Sequence, residues 1–117
     1  GTGIVNVPYG IFPNLLGQDG NPNGITTYLI AVSNGIAFQI IAEIAASGRG
    51  YMTRGQHVRV MIKNISGGVM GAVTFEAIFK TSGAFTAPQN GFSRTIDFVF
   101  DGTNLVEQFR SAADVAN

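Results

Sequence analysis

Few residues in this 117-residue chain have the type and spacing that chemistry requires, and each has a plainer use. Asp19-Gly-Asn-Pro-Asn-Gly24 sets oxygen-bearing side chains at alternate positions with glycine sixth, as a calcium-binding loop opens. The closing glutamate is missing, because Ile30 stands at the twelfth position, and Pro22 stiffens the middle. The run therefore reads as an Asx-type turn, with no metal. His57 is the sole histidine, so a triad or a multi-histidine metal site must use it or not exist. It falls on the polar side of an alternating run with Arg59 and Lys63, as a surface or interface side chain. Glycoside hydrolysis needs two carboxylates roughly 5 to 10 Å apart, and Glu76 with Asp97, both on outward strand positions, is the pair that fits. Lys80 and Arg94 share or neighbour those positions, so cross-strand ion pairing is the simpler use of these acids. Gly48-Arg-Gly50 lacks the Lys-Ser/Thr and helix start of a phosphate cradle. The chain is thus read as non-enzymatic, with no catalytic residue and no cofactor.

Binding is the remaining chemistry. Tyr9, Phe12, Tyr28, Tyr51 and Phe85 lie in or beside predicted loops, where a ring stacks on a sugar face or packs against another subunit. With Asn90, the residues Tyr9, Tyr28, Tyr51 and Phe85 form the candidate glycan-binding set. Phe75, Phe79, Phe92, Phe98 and Phe100 sit at strand-period positions and are assigned to the core.

The elements that would position these residues read as strands. Gln56 to Lys63 alternates, with Val58, Val60 and Ile62 facing one way and His57, Arg59, Met61 and Lys63 the other. Residues 72–80 alternate again, with Val73, Phe75, Ala77 and Phe79 inward. Phe92, Ile96, Phe98 and Phe100 share a face, and the turn Asp101-Gly102-Thr103-Asn104 leads into residues 105–110 as a hairpin, Asp101 and Asn104 bonding to local backbone. Residues 25–33 are β-branched and aromatic, and Asn34-Gly35 reads as a hairpin turn into a strand over residues 36–46, whose spacing also allows a helical face. Gly67 and Gly68 close another turn. Residues 3–7 predict a short strand, after which Pro8, Gly10, Pro13, Gly17, Gly20, Pro22 and Gly24 interrupt regular structure. Residues 1–24 are therefore an irregular approach and residues 25–117 the domain. Six to eight strands of this length predict an antiparallel β-sandwich or jelly roll.

Composition narrows the setting. Charged residues are 12% of the chain, against roughly 25% in an ordinary domain. Such a surface suits burial against identical copies, since obligate interfaces are more apolar than free surface. Seven basic and seven acidic side chains cancel, so no basic field exists to attract nucleic acid or an anionic membrane. No apolar run approaches the roughly 18 residues of a membrane-spanning helix. The chain has no cysteine, hence neither disulfide nor thiolate metal site.

The order of several short motifs carries a resemblance over about three quarters of the chain. They are Ile30-Ala-Val-Ser-Asn-Gly35, Val60-Met-Ile-Lys-Asn-Ile-Ser-Gly-Gly68, Gly71-Ala-Val-Thr-Phe75, Gly91-Phe-Ser-Arg94, Phe98-Val-Phe-Asp-Gly-Thr-Asn104 and Ala112-Ala-Asp-Val115. Together they resemble a C-terminal β-domain of bacteriophage tail spikes and appendages, often found downstream of a pectate-lyase-like β-helix. Phe85 and Leu105 stand where that pattern has Trp, and Ala116 where it often has Pro, which removes any indole-specific ligand contact. The resemblance implies a homotrimer of tumour necrosis factor-like sandwiches in the virion tail, outside the cell, capping a fibrous trimer. It also implies, as alternatives, a module that binds a host-surface glycan. A small glycoside hydrolase built on Glu76 and Asp97 is the remaining alternative.

Overall fold

The computed structural model describes residues 3–15, 25–42 and 54–117. Every regular element among them is a strand: β1 (Gly3–Asn6), β2 (Ile25–Val32), β3 (Phe38–Ile40), β4 (His57–Asn64), β5 (Val73–Phe75), β6 (Phe79–Lys80), β7 (Phe92–Phe100), β8 (Leu105–Arg110) and β9 (Val115–Ala116). The fold is all-β. A main sheet runs in the order β1-β2-β4-β7-β8-β6, and β9 also pairs with β7; β3 and β5 form a second, two-stranded sheet.

The sheets are mixed, which corrects the antiparallel expectation. β4 and β8 flank β7 in antiparallel fashion, as the C-terminal hairpin pattern predicts. The pairs β1–β2, β2–β4, β3–β5 and β6–β8 are parallel. Parallel neighbours need a crossover of a dozen or more residues, and residues 33–56 supply one between β2 and β4. Asn34-Gly35 accordingly does not close a hairpin, because β3 pairs with β5 and not with β2. The turn carries the chain out of the main sheet into the second one. Of the strand expected over residues 36–46, the part from Phe38 to Ile40 is β3, and residues 43–46 lie outside the described residues.

The strand expected over residues 72–80 is two strands in two sheets. The Glu76 backbone N–H donates to the Ile40 carbonyl, and the Phe79 N–H donates to the Glu76 carbonyl, so the chain turns between β5 and β6. Ala77 is exposed in that turn instead of inward. The described part of residues 1–24 belongs to the same core as the rest, since β1 pairs in register with β2 and both Val7 and Leu15 are buried.

Even-numbered residues of β2, β4 and β7 face the second sheet. Tyr28, Ile30, Val32, Val58, Val60, Ile62, Ile96 and Phe98 are buried there against Phe38, Ile40 and Val73. Four rings join the layers: Phe98 lies 4.9 Å from Phe79 and 5.6 Å from Phe75 in edge-on contacts, and Phe85 meets the edge of Phe75 at 5.9 Å. Such pairs stabilise by about 1 kcal/mol beyond their area.

Gly71 marks where two loops meet without room for a side chain. A Cβ there would stand 2.4 Å from the Ala37 nitrogen and 2.5 Å from the Ile36 carbonyl carbon, both of them backbone. Gly71→Ala is expected to cost about 2 kcal/mol through forced backbone displacement, whereas Gly68→Ala, with open space around it, is expected to cost far less. Urea unfolding of the two variants measures the difference.

On β8, Glu107 and Arg110 brace the loop before them. Arg110 donates to both Glu107 oxygens and to the carbonyls of Gly83 and Ala84, and Ser82 donates to Glu107 through its N–H and hydroxyl. The Arg110 bonds, and then those from Ser82, hold the Glu107 carboxyl down at about 2 from its ordinary 4.5. A depressed carboxylate stabilises the fold above its unfolded value, and that stability is lost as pH falls from about 4.5 toward 2. Thermal melts over this range are expected to show wild type losing about 1 kcal/mol more than Glu107→Gln, a modest figure because the pair is partly open to water.

Candidate functional site

Two surfaces have functional geometry, and both arise from which face of the main sheet is covered. Odd-numbered residues of β2, β4 and β7 point away from the second sheet, and no second layer of described residues lies over them. On this outer face the register sets Arg59 opposite Asp97 and His57 opposite Val99. Asp97 is 0% exposed even so. His57 Nδ1 bonds one carboxylate oxygen at 2.9 Å and Arg59 Nε donates to the other at 3.3 Å. The β7–β8 register shifts between Asp97 and Phe98, which sets Phe109 opposite Asp97, and the Arg59 guanidinium lies 5.5 Å from the Phe109 ring centre. The sequence offers His57 no neighbouring carboxylate; the strand register brings one from forty residues away.

This cluster is an ion triad of Asp97, His57 and Arg59, and it does not bring Asp97 face to face with Glu76. Both Asp97 oxygens are occupied, and Glu76 lies in the layer on the opposite side of the main sheet, where its Oε1 accepts the Ala42 N–H at 3.0 Å. The cross-strand pairing weighed for these acids thus holds for Asp97, with His57 and Arg59 as partners in place of Arg94. Arg94 pairs instead with Asp114, at 2.6 Å. That contact, with the Gln89 N–H second, holds the Asp114 carboxyl below its usual range. Asp97→Ala is expected to destabilise the fold by about 2 kcal/mol, since it strands two half-buried donors. Chemical denaturation measures it, and Asp97→Asn should recover part of the loss.

The second surface is the end of the molecule where β2 and β4 finish and β7 begins. Asn64 organises it. This residue is fully buried at the last position of β4, and its amide donates to the carbonyls of Gly68 and Pro88, both at 3.0 Å. Its Oδ1 accepts from the Ser66 N–H and hydroxyl, and its backbone carbonyl accepts the Gly91 N–H. One side chain thus ties the loop of residues 65–71 to that of residues 88–91. Gly67, with φ of +85°, turns its N–H onto Asn90 Oδ1 at 2.9 Å. Asn34 Oδ1 similarly accepts the Ile36 N–H at 2.9 Å and the Tyr9 hydroxyl at 2.7 Å. A cavity of about 300 Å³ is lined by Tyr9, Gly10, Ile11, Ser33, Asn34 and Ile36. Another of about 420 Å³ lies among Gly68, Val69, Met70, Pro88 and Asn90.

The candidate glycan-binding residues do not converge. Tyr28 is an interior residue of β2, 2% exposed, which corrects its placement beside a loop; its inward parity next to Ile30 and Val32 takes it into the core, and burial raises its phenol pKa. Phe85 packs on Phe75 on one side, with the Arg110 guanidinium 6.0 Å from its ring centre. Tyr9 turns its ring edge-on to Phe38, with its hydroxyl already engaged. Of the described candidates, Tyr9 and Asn90 reach the end where β2 and β4 finish, the apical end, and Tyr51 lies outside the described residues, as does the calcium-like run from Asp19 to Gly24. Asp101 Oδ1 accepts the N–H groups of Thr103 and Asn104 in the turn through Gly102, which lowers its carboxyl pKa. Asn64 escaped the sequence reading, although an asparagine continuing the inward series Val58, Val60, Ile62 was the available signal.

Among the described residues no three His, Cys, Asp or Glu side chains gather as a metal site, and no helix is long and apolar enough to cross a membrane. No protein family, curated protein or solved structure matches this chain.

Proposed function

We propose that this chain is a non-enzymatic capping module of a bacteriophage tail spike or fibre, in which three copies assemble around a common axis through the outer face of the main sheet. The finer fold in this reading is a sandwich similar to that of tumour necrosis factor, and the setting is the virion tail outside the cell. The ordered motifs from Ile30 to Val115 suggest the family.

The observation that carries the assembly is the outer face itself. Leu29, Met61, Val99 and Val106 are half-buried on it with no second layer of described residues above them, and Ile4 and Phe109 are largely exposed. Its one acid, Asp97, is already neutralised within the sheet. A surface of this kind loses little on leaving water, because few charges must be desolvated and the apolar area contributes roughly 25 cal/mol per Å². Two further copies of the chain are the occupants that a closed cyclic assembly supplies. Burial between copies would then hold a fibre in register and slow its unfolding.

Light scattering from the chain down to low micromolar concentration is expected to give the mass of three chains. Met61→Lys, on a half-exposed position outside the core, is expected to shift that mass to one chain while leaving the β-sheet circular dichroism unchanged. A monomeric wild type, or a trimer indifferent to Met61→Lys and to Leu29→Lys, would remove this reading.

A further inference from the structure

Asn34-Gly35 and Asn90-Gly91 are the same dipeptide, and the fold holds them differently. An asparagine side chain is most open to attack by its own backbone when glycine follows, because glycine places no Cβ beside the incoming peptide nitrogen. Three conditions govern that attack. The N–H after the asparagine must be free, the side-chain carbon must lie against that nitrogen, and charge building on Oδ1 must be stabilised.

At Asn90 the first condition fails. The Gly91 N–H donates to the carbonyl of the buried Asn64 at 3.0 Å, with Gly91 held at φ of +84°. Among the described residues Asn90 Oδ1 has one donor, the Gly67 N–H at 2.9 Å. At Asn34 all three conditions are met. The Gly35 N–H meets no acceptor among the described residues. Asn34 Oδ1 accepts the Ile36 N–H at 2.9 Å, which closes an Asx turn and folds the side-chain carbon back over the Gly35 peptide. The same oxygen accepts the Tyr9 hydroxyl at 2.7 Å, so two donors converge on the atom where negative charge develops. Burial raises the Tyr9 pKa above its ordinary 10.0, so the phenol keeps its proton at the mildly alkaline pH that favours attack by nitrogen. Asn34 and Gly35 are both exposed, and the Asn34 NH₂ group has no partner among the described residues, so water has access and ammonia can leave.

We infer that Asn34 is a site of spontaneous covalent modification, at which the chain deamidates itself through a cyclic imide with Gly35. The Gly35 nitrogen forms a bond to Asn34 Cγ, and its proton passes through solvent to the departing side-chain nitrogen. The Cγ–Nδ2 bond breaks and ammonia leaves. Water then opens the imide at either of its carbonyls, which gives an aspartyl or an isoaspartyl residue at position 34. One water is consumed and one ammonia released, with no change of oxidation state. The product puts a carboxylate into a cavity whose other lining residues, Tyr9, Gly10, Ile11, Ser33 and Ile36, carry no charge. The isoaspartyl form also lengthens the backbone by one carbon just before Ile36 and Ala37, whose main chain stands against Gly71. The site does not depend on the assembly proposed above, since neither Asn34 nor Gly35 lies on the outer sheet face.

The test is incubation of the folded chain at mildly alkaline pH in ¹⁸O-water, followed by digestion in ordinary water and tandem mass spectrometry. The label marks events of the incubation alone, and fragment ions separate Asn34 from Asn23, whose own Asn-Gly step lies outside the described residues. Asn34 is expected to convert about tenfold faster than Asn90 in the folded chain, and the two rates are expected to converge in urea. Tyr9→Phe, which keeps the ring against Phe38, is expected to slow Asn34 about fivefold and to leave Asn90 unchanged. Equal rates at the two positions in the folded chain, or an Asn34 that stays unlabelled when folded and reacts only in urea, would overturn the site. A rate difference that persists in urea would overturn it by assigning the effect to sequence neighbours, and an Asn34 rate unchanged or raised by Tyr9→Phe would remove the role of the two donors.

Discussion

Among the described residues the main sheet is covered on one face only, and most features of the molecule follow from that. Its even-numbered side chains have a second layer to pack against, and there Val58, Val60, Ile62, Ile96 and Phe98 lose their contact with water completely. The odd-numbered side chains have none. On that side the structure satisfies its polar groups within the plane of the sheet, by laying His57 and Arg59 over Asp97, and leaves an apolar row only half hidden. Any account of what this protein does must say what meets that row, and symmetric self-association is the answer proposed above.

The small second sheet explains why the connections are shaped as they are. β3 and β5 cover the core only if the chain leaves the main sheet after β2 and again after β4, and these departures create the apical loops. Their backbones approach so closely that Gly71 has no room for a Cβ, and Asn64 then ties the neighbouring loops to each other from beneath. A buried asparagine with every polar atom engaged is a stringent way to join loops, because each lost bond leaves an unsatisfied group in the interior. The fixed loops in turn hold Asn34 and Asn90 by their oxygens, and they differ in whether the N–H of the glycine that follows is engaged.

Much of this was legible in the order of residues. Period-two alternation identified β4 with the correct inward and outward sets, the C-terminal hairpin of β7 and β8, and the Asp101 turn, because alternation follows from strand geometry within one segment. The reading failed where two segments of similar pattern belong to different layers. Val73, Phe75 and Phe79 all point inward as their parity requires, yet a turn at Glu76 sends them into separate sheets. Asn34-Gly35 has the composition of a hairpin turn, and that composition cannot say whether the strands on either side are partners.

The sequence by itself determined that the chain is all-β, which side of each long strand is apolar, and that its surface carries little charge, since these depend on residue type and local spacing. Only the tertiary structure decided which strands are parallel, that Asp97 meets His57 and Arg59, that Tyr28 is interior, and that Asn64 joins the loops of residues 65–71 and 88–91. Those facts depend on register and on crossovers spanning tens of residues. The free energy that selects among the alternatives comes from burial and close packing summed over the whole core, and no local stretch of sequence records that sum.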